Sequence, residues 1–162
     1  MDKEIKELLE SQINNELQAS YNYLGASIYY QLKGLNYFAK LFYEQSLEEH
    51  EHAMKIKNYL LDRDQFINLK NIAEAKTDFS NLLEPIEFAL NSEKEVTKRI
   101  SYIYDLSLQK KDYLTAQFLS WFLEEQVEEE AQFKNLLDKI KTINDINLAF
   151  LILNEKSSNG KS

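Results

Sequence analysis

Leu9, Ile13, Glu16, Ser20, Tyr23, Ser27 and Tyr30 recur at alternating steps of four and three. That is the period of a helix turning one stripe toward a bundle interior, and it predicts a first helix over about residues 3–33. Gly34 interrupts the stripe. It resumes as Phe38, Phe42, Gln45, Glu49, His52, Ile56 and Tyr59 and fails at Asp62-Arg63-Asp64. So short a break makes the first two helices antiparallel neighbours. A third stripe, Ile86, Leu90, Glu93, Thr97, Ile100 and Tyr104, follows Pro85, a residue suited to a first helical turn, and ends at Gln109-Lys110-Lys111-Asp112. Leu119, Phe122, Gln126, Glu129, Phe133, Leu136 and Ile140 form the fourth.

Residues 63–83 show no sustained period, and a stretch of that length in one domain needs a structural purpose. A helix of about 27 residues is roughly 40 Å long, which about 20 extended residues span with slack. The segment therefore reads as a crossover that returns the chain, so that helix three runs parallel to helix two. Two helical hairpins joined by one long connection form an all-α, ferritin-like four-helix bundle, not a simple up-down-up-down one. Asn144-Asp145 caps a short C-terminal fifth helix, Ile146 to about Asn154. Its run Leu148-Ala149-Phe150-Leu151-Ile152-Leu153 is apolar on every side, more than a monomer covers with one contact face. Residues 1–154 thus make one domain, and the polar 155–162 segment is expected to be a disordered tail.

Composition agrees and narrows the chemistry. The 162 residues suffice for one core that buries roughly 70% of the unfolded surface. Three glycines and one proline are too few for the many tight turns of an all-β fold. The absence of cysteine removes disulfides, thiolate zinc sites, cysteine nucleophiles and iron–sulfur clusters, so any metal rests on oxygen and nitrogen. A net charge of −8 disfavours nucleic acid and anionic membrane and favours a cationic partner. With no apolar signal core near Met1-Asp2-Lys3-Glu4-Ile5, the chain reads as soluble and cytoplasmic.

One layer of the stripes breaks the apolar rule with Glu16, Glu49, His52, Glu93, Gln126 and Glu129. Burying one unpaired carboxylate costs several kcal/mol, and four together repel or take up protons unless cations neutralise them. Glu16 to Glu49 and Glu93 to Gln126 are both 33 residues apart, and each hairpin adds a polar residue three positions later, at His52 and Glu129. Positions i and i+3 share a helix face, so both hairpins offer ligands to one midpoint. Hard oxygens with one imidazole suit iron or manganese, zinc being a competitor, and a carboxylate-bridged pair of irons fits best. His50 and His52 lie about 200° apart around the helix, which leaves His50 outside. A misjudged register that makes these residues a solvated acidic face is the competing reading.

Tyr23, two turns after Glu16, is placed either to serve a metal pair by electron donation or hydrogen bonding, or simply to fill the core. Trp121 lies off the stripe, with packing, an interface and redox chemistry all open to it. Glu48, Glu125 and Glu128 each precede a stripe residue by one position, rotated about 100° outward. With Glu129 they either hold a third ion or form a solvated face.

The motifs Asn15-Glu16-Leu17, Glu48-Glu49-His50-Glu51-His52, Glu93 and Trp121-Phe122-Leu123-Glu124-Glu125-Gln126-Val127-Glu128-Glu129-Glu130, together with the fifth helix, resemble those of prokaryotic non-haem ferritins over essentially the whole chain. The resemblance implies that Glu16, Glu49 and His52 hold a first iron. It implies that Glu49, Glu93 and Glu129 hold a second, with Glu49 bridging and Gln126 hydrogen-bonding nearby. It also implies a third iron site of Glu48, Glu125, Glu128 and Glu129, and it matches Tyr23 to the family's central tyrosine. Bacterioferritin and rubrerythrin fit less well, because they carry a second Glu-x-x-His where this chain has Gln126-x-x-Glu129. The haem-ligating methionine of bacterioferritin is replaced by His50, and Met54 does not substitute for it, so no haem is expected. The mini-ferritins that coat DNA place ligands between subunits and lack a fifth helix.

The function so implied is a ferroxidase that oxidises Fe(II) with dioxygen or peroxide and stores ferric mineral in a hollow shell of 24 identical subunits. Neither nucleic acid nor membrane is expected as a partner. The alternatives are another ferritin-like diiron oxidase and a metal-free structural or interaction bundle.

Overall fold

The computed structural model describes the backbone of residues 1–159 and side chains through Ser157. It contains α1 (Lys3–Leu32), α2 (Asn36–Asp62), α3 (Glu84–Gln109), α4 (Tyr113–Lys141) and α5 (Ile146–Asn159), with no strand among the described residues. The Asp2 carboxylate caps α1 by accepting from the Glu4 and Ile5 amides, and Asp112 caps α4 by accepting from the amide of Thr115. Gly34 turns the chain between α1 and α2 with φ +73°, a conformation glycine adopts without strain. Pro85 occupies the first turn of α3. The four long helices begin and end within a residue or two of the ends the stripes predict.

The crossover fixes the topology. Asn14 exchanges two hydrogen bonds with the Lys70 backbone, Gln18 does the same with Ala73, and the buried Tyr30 hydroxyl donates to the Leu82 carbonyl at 2.6 Å. The segment thus runs along α1 from Asn14 to Tyr30, near its C-terminal end. It therefore delivers α3 parallel to α2, as the length argument requires. Gly25 lets this path pass closely, because a Cβ there would overlap the Lys76 carbonyl oxygen.

Two apolar clusters fill the bundle. Ile5, Leu9, Ile13, Ala53, Ile56, Ile100, Leu119 and Phe122 pack toward one end, and Tyr23, Tyr30, Phe38, Phe42, Ile86, Phe133 and Ile140 toward the other. Between them lies a polar band, so the centre of the molecule is where hydrophobic packing gives way to carboxylates.

The C-terminal segment departs from expectation in the length of its helix. α5 continues beyond Asn154 to Asn159, so positions 155–159 of the expected disordered tail are helical, and 160–162 lie outside the described residues. Glu155 and Lys156 are good helix formers and carry the hydrogen-bond ladder past the last apolar residue. Phe150 is buried in its own chain with its ring 4.6 Å from Phe38 and 6.0 Å from Tyr30, so α5 closes one end of the bundle. Leu148 and Leu151 stay about half exposed, at 47% and 54%. No helix among the described residues is long and apolar enough to cross a membrane.

Candidate metal centre

Each long helix contributes to the polar band: Glu16 from α1, Glu49 and His52 from α2, Glu93 from α3, Gln126 and Glu129 from α4. All six are buried. Glu16, Glu49 and His52 bring one ligand atom each within 4.8 Å of one another, and so do Glu49, Glu93 and Glu129. Glu49 belongs to both groups, the relation a bridging carboxylate requires. The Oε2 atoms of Glu16 and Glu49 are buried without a hydrogen-bond partner, and His52 Nδ1 lies 3.5 Å from Glu49 Oε2. Unpaired buried carboxylate oxygens are costly, so oxygens left open and converging on an imidazole fit a hard cation.

The remaining oxygens are held by neutral donors. Gln12 Nε2 donates to Glu16 Oε1 at 2.7 Å, and Gln45 Nε2 donates to Glu49 Oε1 at 3.0 Å and to Glu129 Oε2 at 2.6 Å. The Tyr23 hydroxyl donates to Glu93 Oε1 at 2.5 Å. Gln126 Nε2 donates to Glu93 Oε2 at 3.0 Å and to the Glu93 carbonyl at 3.1 Å. Tyr23 and Gln126 therefore brace the two oxygens of one carboxylate, a hydrogen-bonding role for both residues.

Among the described residues no lysine or arginine side chain enters this band, and the carboxyls respond. Burial and then the charge of Glu49 hold the Glu16 carboxyl well above the ordinary range. Burial and the neighbouring Glu93 charge push Glu49 and Glu129 each up to about 8. Burial raises Glu93 although the bonds from Tyr23 and Gln126 oppose it. The Tyr23 phenol is raised by burial and by Glu93. Without metal the band retains protons in place of cations.

Outside the band, Glu48, Glu125 and Glu128 line an open pocket of ≈ 460 Å³ between α2 and α4, with His52, Trp121 and Glu129 among its walls. These three do not converge as the inner ligands do: among the described residues only the two inner groups bring three ligand atoms within 4.8 Å. Trp121 stands at the pocket edge, its ring 5.5 Å from the His52 imidazole with Lys55 Nζ 4.0 Å from its centroid. His50 is exposed, as its angle from His52 predicts.

Sequence reasoning assigned no site role to Gln12, Gln45 or Thr97. Thr97 Oγ1 donates to Glu130 and accepts from Gln126, linking α3 to α4 beside the centre. The available signal was spacing: Gln12 and Gln45 each lie four residues before a stripe glutamate, one turn away on the same face.

The Ferritin-like domain family matches the chain over residues 6–143. The bacterial non-heme ferritin of Staphylococcus aureus strain MRSA252 is 38% identical over 145 residues, covering 90% of this chain and 87% of that protein. Its counterpart in Staphylococcus saprophyticus is 37% identical with the same coverage. The open pore ferritin of the hyperthermophilic archaeon Archaeoglobus fulgidus has a TM-score of 0.92 and 32% identity, each chain being covered to 96%. An engineered closed form of that ferritin has a TM-score of 0.90 at the same identity, covering 96% of this chain and 95% of its own. A four-helix bundle whose helices converge on a shared carboxylate, matched at this level in sequence and in structure, belongs to the ferritin family, among its bacterial non-haem members.

Proposed function

We propose that this chain is an iron-storage ferritin that oxidises Fe(II) at the bundle centre and holds the ferric product in a shell of 24 copies. The observation that carries the reading is the pair of buried ligand groups sharing Glu49, with the Oε2 atoms of Glu16 and Glu49 unpaired. Glu16, Glu49 and His52 hold one Fe(II) and Glu49, Glu93 and Glu129 the other. Two Fe(II) held together deliver two electrons, which matches reduction of dioxygen to hydrogen peroxide or of peroxide to water. The chain's own part is to fix the ligands and to exclude bulk water with the apolar clusters on either side. Tyr23 keeps Glu93 oriented through its hydroxyl and is a phenol close enough to the iron pair to serve as an electron donor.

Glu48, Glu125 and Glu128, with Glu129, form a third cation position on the approach to the centre, since the α2–α4 pocket reaches both His52 and Glu129. The exposed Leu148 and Leu151 of α5 supply apolar contact between subunits. The protein works in the cytoplasm without haem, nucleic acid or membrane as partner. Incubating the purified protein with Fe(II) and dioxygen and sizing the product tests the proposal. A large particle carrying ferric iron is expected. A 19.1 kDa monomer that leaves iron in solution would overturn it in favour of a metal-free bundle.

A further inference from the structure

We infer that Gln45 is a displaceable placeholder, its side-chain amide occupying the place of the second cation between Glu49 and Glu129 until metal arrives. The inference rests on the proposed metal centre and deepens it, since it concerns how the two positions differ.

The two ligand groups are alike in burial but unlike in hydrogen bonding. In the first, Glu16 Oε2 and Glu49 Oε2 have no partner, and Gln12 holds Glu16 only through its other oxygen. A cation entering there gains ligands without displacing an amide donor. In the second, Glu49 Oε1 and Glu129 Oε2 both accept from one nitrogen, Gln45 Nε2, at 3.0 and 2.6 Å. A primary amide carries two N–H groups, so Gln45 spends both on this pair. The result is a single electropositive centre bridging carboxylates from α2 and α4, which is the task of a metal ion.

The arrangement differs from that of a brace. Tyr23 and Gln126 each grip one carboxylate, Glu93, from different sides, and Gln126 also binds the Glu93 carbonyl and Thr97. Gln45 instead links two carboxylates that a cation in the second position would itself link. It is 1% exposed and one turn before Glu49, so water does not readily take over its bonds. Filling the second position requires the amide to give up these two bonds to buried carboxyl oxygens, whereas filling the first does not. Gln45 therefore sets the affinity gap between the two positions and the order in which they fill.

The test is titration of the metal-free protein with Co(II) alone, following its visible absorption and resolving the two binding steps in wild type, Gln45→Leu and Gln45→Met. Both substitutions remove the donors and leave an apolar side chain of similar bulk, and Met adapts to the space if Leu disturbs folding. The second step is expected to tighten by about tenfold or more in the variants, because two buried hydrogen bonds to the carboxyl oxygens no longer compete, while the first stays within about threefold. A second step that is unchanged or weaker in a folded variant would overturn the inference, since an amide that merely positions ligands weakens binding when lost. Wild-type protein that shows no cobalt binding would instead bring down the metal centre itself, and with it the role of Gln45.

Discussion

Cation binding at this centre should expel protons, in a number that the raised carboxyls determine. With Glu49 and Glu129 pushed up to about 8, each is about 90% protonated at pH 7 in the metal-free protein. A divalent cation requires both as carboxylates, so loading two redox-inert cations such as Zn(II) at pH 7 releases about two protons per chain, and Glu16 and Glu93, also raised, add in the same direction. The product of the two binding constants then climbs about 100-fold per pH unit near neutrality and flattens above the raised values, near pH 9. For the metal-free fold the sign is opposite. Unfolded carboxyls ionise near 4.5 while the folded ones stay neutral, so stability falls as pH rises from about 4.5 to about 8 and metal restores it. Calorimetric titration in two buffers of different ionisation enthalpy counts the protons. Release of fewer than about one proton per chain at pH 7, or an affinity indifferent to pH, would refute the claim that the ligands wait in protonated form.

His52→Ala should suppress rapid Fe(II) oxidation in stopped-flow absorbance while leaving the helical circular dichroism intact, because it removes an imidazole from the first position only. Glu125→Ala and Glu128→Ala should keep the first fast oxidation and change the iron consumed per dioxygen, read with an oxygen electrode, since both line the outer pocket. Gly25→Ala should destabilise by about 1–3 kcal/mol in denaturant unfolding, as its Cβ forces the Lys76 backbone away from α1. Phe150→Ala should cost about 3–5 kcal/mol by the same measurement, since the ring is fully buried against Phe38 and Tyr30.

The bundle was legible because helical periodicity is redundant: seven positions in register define a face even when Glu16, Glu49 and Glu129 occupy apolar slots. Those intrusions were themselves the site signal, since acidic residues at stripe positions of all four helices have few stable explanations. The crossover was legible only as a length. Its register against α1 was not, because Lys70, Ala73 and Lys76 meet Asn14, Gln18 and Gly25 through backbone atoms that leave no side-chain pattern. α5 concealed the direction of Phe150 for a related reason, as a helix apolar on every side has no marked face. Gln45 was visible as a polar stripe residue, but whether an interior amide packs, bridges or ligates depends on which oxygens lie within about 3 Å, which spacing does not encode.

The central claim, two cooperating iron positions joined by Glu49, is tested most directly by loading the metal-free protein with Fe(II) under anaerobic conditions, admitting a pulse of dioxygen and counting the iron oxidised in the fast phase. Two irons per chain are predicted for the wild type and essentially none for Glu49→Ala, which loses a ligand from both groups at once. A wild type with no fast phase, or a Glu49→Ala variant that oxidises iron as the wild type does, would contradict the account.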